Sequence, residues 1–528
     1  MATTNHPTPH RRITRTLTPE QYAQWRPFLD VARNLGIGVT GTRGVGKSTL
    51  LFLITWLDAI IADKPLVAIL PISQVFDLFA TQVSLLHPDE QAKIWPKVRY
   101  VPMSGYQVVP DSPVSEWFVL PTGLYYDDGI GTGDATTISQ RLPHTLLKLE
   151  PQLTQATQQG YRAVLKASTE AGRILYACGL GVTHMADLLT RYADPLWQRR
   201  MDEALRNDPG VADAVAFFRH EYANWTPGRR DERTNALLTR LSTFSSPLMK
   251  AQLGAPYWAV PWKAVFDKKL KVFIDLSADY GTETAAFKML FIFLSLVEFI
   301  QRYGAAHPGD RSNPVSVVID EIAVMLGGKD SPMAADLDTF INTLSRNYNV
   351  HLSTSFQEPY QIADPKILDT LLSLGTKYFA RMTDPTSSRL IADRALPYDP
   401  YKVKETVYHR VGGARGWDEG RDYYFSKQEQ IELGRQRFDD LEALEFLVSR
   451  TAKEGARPLA LEPVSLRPFG VRPPDPACVG EVKRRLMLRD GRAVKEVLAD
   501  IASPERAGEA SPHLRPHDAD EDQLETEF

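Results

Sequence analysis

At 528 residues, with 43% hydrophobic and 24% charged side chains, the chain can bury a core of its own, and its composition is that of a globular protein. A formal net charge of -4 and a pI near 6.3 exclude a globally basic nucleic-acid binder, so any contact with nucleic acid must come from local patches. Cys178 and Cys478, the two cysteines, lie far apart; this argues for a reducing compartment and against a disulfide framework or a cysteine metal site.

Residues 1–20 are polar and basic, lack the apolar segment of a secretory signal, and read as a flexible arm. A helix is expected to start at Thr18-Pro19-Glu20, with Tyr22, Trp25, Phe28 and Val31 at helical spacing. Gly36 to Thr40 predicts a short buried strand leading into a glycine-rich loop, and Ser48 to Ile61 a helix. Leu66 to Leu70 predicts a second strand, Gln74 to Leu86 a helix, and Lys97 to Pro102 a third strand. This alternation is the pattern of a parallel α/β sheet.

From Ser139 to Leu253 strand signals vanish and helical spacing dominates, as in Met185, Leu188 and Leu189, or Val211, Val215, Phe218 and Tyr222. Strands then return at Val272–Asp275, Val315–Asp320, Val350–Ser355 and Thr376–Arg381, with a long apolar helix at Ala285–Tyr303 and another helix at Leu337–Arg346. Beyond Arg457 proline rises; Cys478 to Ile501 predicts a terminal helix, and the acidic tip around Asp518, Asp520, Glu521, Asp522, Glu525 and Glu527 predicts a disordered, solvated tail. The expected division is an arm over 1–20, a nucleotide-binding core over 21–138 and 255–456, an all-helical insertion over 139–254, an extension over 457–502 and a tail over 503–528. No apolar run reaches the roughly 18 residues of a membrane span. The nearest, Leu50 to Ile61, is interrupted by Asp58, so the expectation is a cytoplasmic protein, peripheral to a membrane at most.

Gly41-Thr42-Arg43-Gly44-Val45-Gly46-Lys47-Ser48 fits G-x-x-x-x-G-K-[ST] in full, and it sits between a predicted strand and a predicted helix. Glycines let backbone N–H groups turn inward as an anion nest, and the helix that follows adds the positive end of its dipole. Lys47 would reach the β- and γ-phosphates of ATP, Ser48 would place a hydroxyl on Mg²⁺, and the binding stretch runs on to Thr49. Such a loop needs an acidic residue at the end of a neighbouring strand. Asp320 is followed at once by Glu321, a pair that divides the labour between the Mg²⁺ shell and the attacking water. Asp275 has no such companion and reads as a structural strand end. Arg346 and Gln357 are left open by residue type alone: one could act as a finger in a neighbour's site and the other as a phosphate sensor, or both could be ordinary residues. The basic clusters Lys268-Lys269-Lys271, Arg199-Arg200 and Arg229-Arg230-Arg233 are read as solvated faces before DNA contacts.

The ordered set resembles the HerA–FtsK superfamily of ring ATPases, and within it the coupling ATPases of conjugation and type IV secretion of the TraG/TraD type. The resemblance spans about residues 30–450. It is carried by Gly41–Ser48, by Arg233–Phe244 with Ser246–Met249 and Leu253-Gly254, by Lys271–Ser277, by Val317–Glu321, by Leu344–Gln357, and by Gly375–Arg381 with Asp384–Thr386. It implies a RecA-like α/β core and a homo-oligomeric ring, a hexamer, with ATP between subunits, Arg346 completing the neighbour's site, and Arg381 as a weaker second finger. Gln357 would be the sensor glutamine. It further implies DNA in the central channel and a relaxase or secretion-channel partner. Many coupling proteins carry N-terminal membrane helices that are not expected in this sequence, which leaves room for a soluble HerA-like motor or for a coupling protein that docks on a separate membrane partner. A nucleotide switch whose helical insertion binds protein, and a motor that moves protein, are the other readings.

Overall fold

The computed structural model describes residues 36–123, 135–143, 145, 158–279, 282–307, 314–326, 333–344, 347–362, 364–396, 398–411, 417–450 and 461–502. The expected arm with its first helix, the acidic tail and Arg346 lie outside these residues.

Seven parallel strands form the centre of one sheet, in the order β8 (Thr376–Phe379), β1 (Ile37–Thr40), β7 (Val350–Phe356), β6 (Val315–Ile319), β2 (Leu66–Leu70), β5 (Lys271–Asp275) and β3 (Val98–Pro102). Strands covered on both faces read as largely apolar runs, and Leu66–Leu70 and Val315–Ile319 are buried at every position, with Ser316 the one polar residue of the two. At the β8 edge two antiparallel strands extend the sheet, β11 (Glu445–Arg450) and then β12 (Glu462–Ser465). A short pair joins β4 (Phe118–Val119) to β13 (Arg492–Ala493), and β9 (Val403–Val411) and β10 (Trp417–Tyr424) form a separate hairpin. The hairpin and β11–β12 are not among the strands expected from the sequence. Tyr401, Tyr408 and Tyr424 are exposed, and Glu462-Pro463-Val464-Ser465 is too short and polar to register as a strand.

One expectation about the sheet is corrected. The strand that leads to Asp320 is not next to the strand that leads into the glycine-rich loop, because β7 lies between them. The chain leaves β1 and returns in β2, beyond both β7 and β6, so a crevice opens at the carboxyl ends of β1, β7 and β6. Open α/β sheets bind ligands in such a place.

Helix α1 (Lys47–Trp56) continues as a π-helical turn over Leu57–Ile61, and its apolar residues Leu50–Trp56 fill the core. Asp58 tolerates burial in that turn because Lys64 Nζ at 2.7 Å and Ser316 Oγ at 3.0 Å donate to its two carboxylate oxygens. Helix α2 (Gln74–Ser84) packs against α1. Between Ser139 and Leu253 every described element is helical, and the core of that region is a ring cluster of Tyr192, Phe217, Phe218, Tyr222 and Trp225.

Helix α3 (Glu283–Ala306) corrects a second expectation. Its segment Thr284–Ala306 is long and apolar enough to cross a membrane, yet most of it is buried inside the fold, as befits a core helix. The expected terminal helix is two helices, α4 (Pro476–Asp490) and α5 (Val494–Ala502), broken where Gly491 is extended and Arg492–Ala493 pair with β4. The strands expected to run to Asp320 and Arg381 stop at Ile319 and Phe379, which frees the residues that follow to turn into the crevice.

Gly181 and Gly254 meet where the helical region rejoins the sheet. A Cβ on Gly181 would lie 1.8 Å from the Gly254 carbonyl oxygen, and backbone cannot step aside cheaply. Gly181→Ala is therefore expected to lower the unfolding free energy by about 1–3 kcal/mol in urea denaturation. Gly228→Ala, whose Cβ meets nothing within 4 Å, should leave the midpoint unchanged or raise it slightly.

Candidate functional site

The loop after β1 is held from both flanks. The Gly41 N–H donates to the Gln357 carbonyl at 3.0 Å, at the end of β7, and the Thr42 N–H donates to the Arg381 carbonyl at 2.9 Å, past the end of β8. A Cβ on Gly41 would lie 2.6 Å from that of Ala380, so only glycine fits there. Gly46 has φ 103°, in the region glycine alone enters without strain, and caps α1. Arg43 and Gly44 stand exposed at the tip, while the carbonyl of buried Val45 accepts from the Leu444 N–H at 2.9 Å. Lys47, Ser48 and Thr49 make the first turn of α1, where backbone N–H groups lack helical partners.

The side chains converge across three strand ends. Lys47 is buried, and its ammonium donates to the Gly41 carbonyl at 2.6 Å and the Thr42 carbonyl at 2.9 Å. Burial lowers its pKa, against the pull of the Glu321, Asp320 and Glu358 carboxylates. Ser48 Oγ donates to Asp320 Oδ2 at 3.1 Å. Ser355 Oγ donates to Asp320 Oδ1 at 2.5 Å and accepts from the Glu321 N–H at 3.1 Å. Gln357 Nε2 donates to Glu321 Oε2 at 3.0 Å. Glu321 itself sits at φ 55°, a left-handed turn uncommon outside glycine. That turn ends the strand's alternation, so two successive carboxylates both reach the end of β7: Asp320 meets Ser355, and Glu321 meets Gln357. Burial raises the pKa of both; hydrogen bonds from Ser355 and Ser48 oppose this at Asp320, and the one from Gln357 opposes it at Glu321.

Lys47, Ser48, Asp320, Glu321 and Gln357 are thus brought together. Arg381 joins them through its backbone. Asp275, on β5, stands apart: Tyr100 OH donates to it at 2.6 Å, the Ser277 N–H at 2.8 Å, and Lys483 lies 3.6 Å away. Lys271, counted in a basic cluster, is buried and donates to Asp63 Oδ1 at 2.8 Å, while Arg230 and Arg233 lie over the rings of Tyr192 and Trp225. Ser355 and Glu358 escaped the sequence reading. The available signal was the polar run Ser353-Thr354-Ser355 inside a central strand, where Thr354 donates to the Ile319 carbonyl and Ser355 to Asp320, while Ser353 Oγ is buried without a partner among the described residues.

No group of three or more metal-ligating side chains occurs among the described residues. The Ser48 hydroxyl and the Asp320 carboxylate do meet at the loop, a hard-oxygen pair suited to Mg²⁺ that takes its other ligands from phosphate and water.

A parallel sheet flanked by helices, with a G-x-x-x-x-G-K-S loop between its strand and its helix, defines a P-loop NTPase fold. No protein-family model and no curated protein matches the sequence. Among solved structures, the chain is similar to the bacterial conjugative coupling protein TrwBdeltaN70 in its unbound form, with 14% identity and a TM-score of 0.48 over 82% of this chain and 85% of that one. It is also similar to plasmid coupling protein TrwB in complex with ADP and Mg²⁺, with 12% identity and a TM-score of 0.46 over 86% and 90% of the two chains. VirB4 of Thermoanaerobacter pseudethanolicus follows with 10% identity and a TM-score of 0.42 over 82% and 90%.

Because the Glu321 pKa is raised in the folded state, that state holds more protons than the unfolded chain from the ordinary glutamate range upward. This side chain's contribution to stability therefore falls as pH rises through that window and stays low above it. Glu321→Gln removes the burden. The nucleotide-free variant should melt no lower than the parent at neutral pH, with a flatter stability profile on the acid side. Thermal melts of both proteins across pH check this.

Proposed function

We propose that the chain hydrolyses ATP at the Gly41–Ser48 loop and, as a ring of identical subunits, uses the cycle to move DNA in conjugative transfer or another mobile-element process. The observation that supports the hydrolytic reading is the convergence of Ser48, Asp320, Glu321 and Gln357 at the ends of β1, β6 and β7. The DNA-moving reading rests on the ordered motifs that resemble ring ATPases of coupling type.

In this proposal the backbone N–H groups of the loop and the ammonium of Lys47 hold the β- and γ-phosphates, for which Lys47 exchanges its carbonyl partners Gly41 and Thr42. Ser48 and Asp320 would hold Mg²⁺, which when bound neutralises phosphate charge. Glu321, whose pKa burial has raised above the usual glutamate value, accepts the proton of the attacking water. Gln357 holds the Glu321 carboxylate in place and stands where it can register the γ-phosphate. Arg346 is assigned to the neighbouring subunit's site.

The test is ATP turnover without DNA and with single- or double-stranded DNA, with particle mass measured in the same samples. DNA-stimulated turnover by a particle of several subunits is expected; slow turnover indifferent to DNA, in a monomer, would instead support the nucleotide switch. Lys47→Ala should reduce turnover by about 10²–10³-fold or more. Arg346→Ala should bind nucleotide normally and show its defect only in the assembled ring, where mixing with Glu321→Gln subunits restores part of the activity.

A further inference from the structure

Glu358 is a buried carboxylate that the proposed chemistry does not use. It follows Gln357 at the end of β7, is only 4% exposed, and reaches past the phosphate loop toward the far flank. Its Oε1 accepts from the Thr383 N–H at 3.2 Å and from Thr383 Oγ1 at 3.4 Å. Thr383 Oγ1 in turn lies 3.3 Å from Thr42 Oγ1 in the phosphate loop. Its Oε2 is buried with no hydrogen-bond partner. The carboxylate also closes a capping box on the short turn Pro359–Gln361, so it joins that turn to Thr383, and an apolar residue here would leave the Thr383 N–H without its acceptor.

The turn that Glu358 holds carries Arg381. The Ala380 N–H donates to the Thr40 carbonyl at 2.8 Å, the Arg381 carbonyl accepts from Thr42 at 2.9 Å, and Ala380 presses on Gly41 too closely for a side chain there. Residues 380–383 are thus tied to the phosphate loop of the same chain at Gly41 and, twice, at Thr42, and to the last residue of β1. The Arg381 side chain is exposed, and no carboxylate among the described residues pairs with it.

We propose that Glu358 is a positioning residue which, through Thr383, fixes the Arg381 turn to the phosphate loop, so that Arg381 meets the phosphates of the nucleotide bound by its own chain. This rests on the hydrolytic reading above. It gives the two arginines opposite addresses: Arg381 serves its own subunit and Arg346 the neighbour. The guanidinium is a forked donor suited to phosphate oxygens, and its value lies in standing at a fixed place when charge moves to them.

The experiment is steady-state ATP hydrolysis by the full chain with Mg²⁺, for Arg381→Ala, Glu358→Ala, Glu358→Gln and the double variant Glu358→Ala/Arg381→Ala. Arg381→Ala should lower kcat by about 10²-fold or more. Glu358→Ala should lower kcat by about tenfold with KM within about twofold, since it loosens the arginine without touching nucleotide. Glu358→Gln, which keeps an oxygen for Thr383, should recover most of that loss. The double variant should be no slower than Arg381→Ala alone, because both changes remove one function. Mixing Arg381→Ala with Glu321→Gln subunits should restore nothing.

Losses that multiply in the double variant, recovery of activity on mixing, or a normal kcat for Arg381→Ala would each overturn the proposal. If Glu358→Ala does not fold, Thr383→Val breaks the same strut and is read by the same criteria. Lys47→Ala is the control for the underlying reading. If it retains turnover, the hydrolytic site itself is wrong; if it loses turnover while Arg381→Ala does not, only the present inference fails.

Discussion

The site depends on a bond that spans a strand. Ser48 belongs to the helix after β1 and Asp320 follows β6, with β7 between them, yet hydroxyl and carboxylate meet at 3.1 Å. The intervening strand makes this possible by being polar where it ends. Ser355 pins the other oxygen of Asp320 and the backbone of Glu321, and Gln357 takes Glu321 and, through its carbonyl, Gly41. Three strand ends are thereby locked into one surface whose donors and acceptors are already directed.

That surface concentrates charge at a cost. Lys47 sits among Asp320, Glu321 and Glu358, all four largely buried, and burial works against each charged form that it perturbs. The left-handed turn at Glu321 adds backbone strain of order 1–3 kcal/mol. The surrounding core, from Leu50–Trp56 on one face to the wholly buried β2 and β6, has to over-determine these features.

Much of the fold was legible because buried parallel strands and amphipathic helices carry strong periodic signals. Leu66–Leu70 was bounded to the residue, and the loop, Asp320 and Gln357 could be named from motif and order alone. Three things were not legible. Strand order is a property of pairing at a distance, and nothing local says that β7 intervenes between β1 and β6. Ser355 acts through two hydrogen bonds, and a serine in a strand carries no mark of them. The break at Gly491 precedes Arg492 and Ala493, whose pairing with Val119 and Phe118, far back in the chain, overrides the helical spacing on either side. The hairpin strands β9 and β10 and the edge strand β12 were missed because a solvated or edge strand needs no apolar run; β11, with Phe446-Leu447-Val448 buried inside the sheet, did carry one and was overlooked.

The strand that carries the phosphate loop has a bearing on how the protein is made. β1 pairs only with β7 and β8, so Ile37 finds Ser353 and Thr376 as its neighbours. A ribosome adding about 5–20 residues per second needs roughly a quarter of a minute to a minute to deliver those partners. Throughout that interval the largely apolar stretch of α1 from Leu50 to Trp56 lacks β6 and β7, the strands it packs on. The helical region between the two halves emerges first, with its own aromatic cluster, and can close on itself before the sheet does. Placing the phosphate loop on a strand whose neighbours come last leaves that loop without its flanking contacts until almost all of the sheet exists.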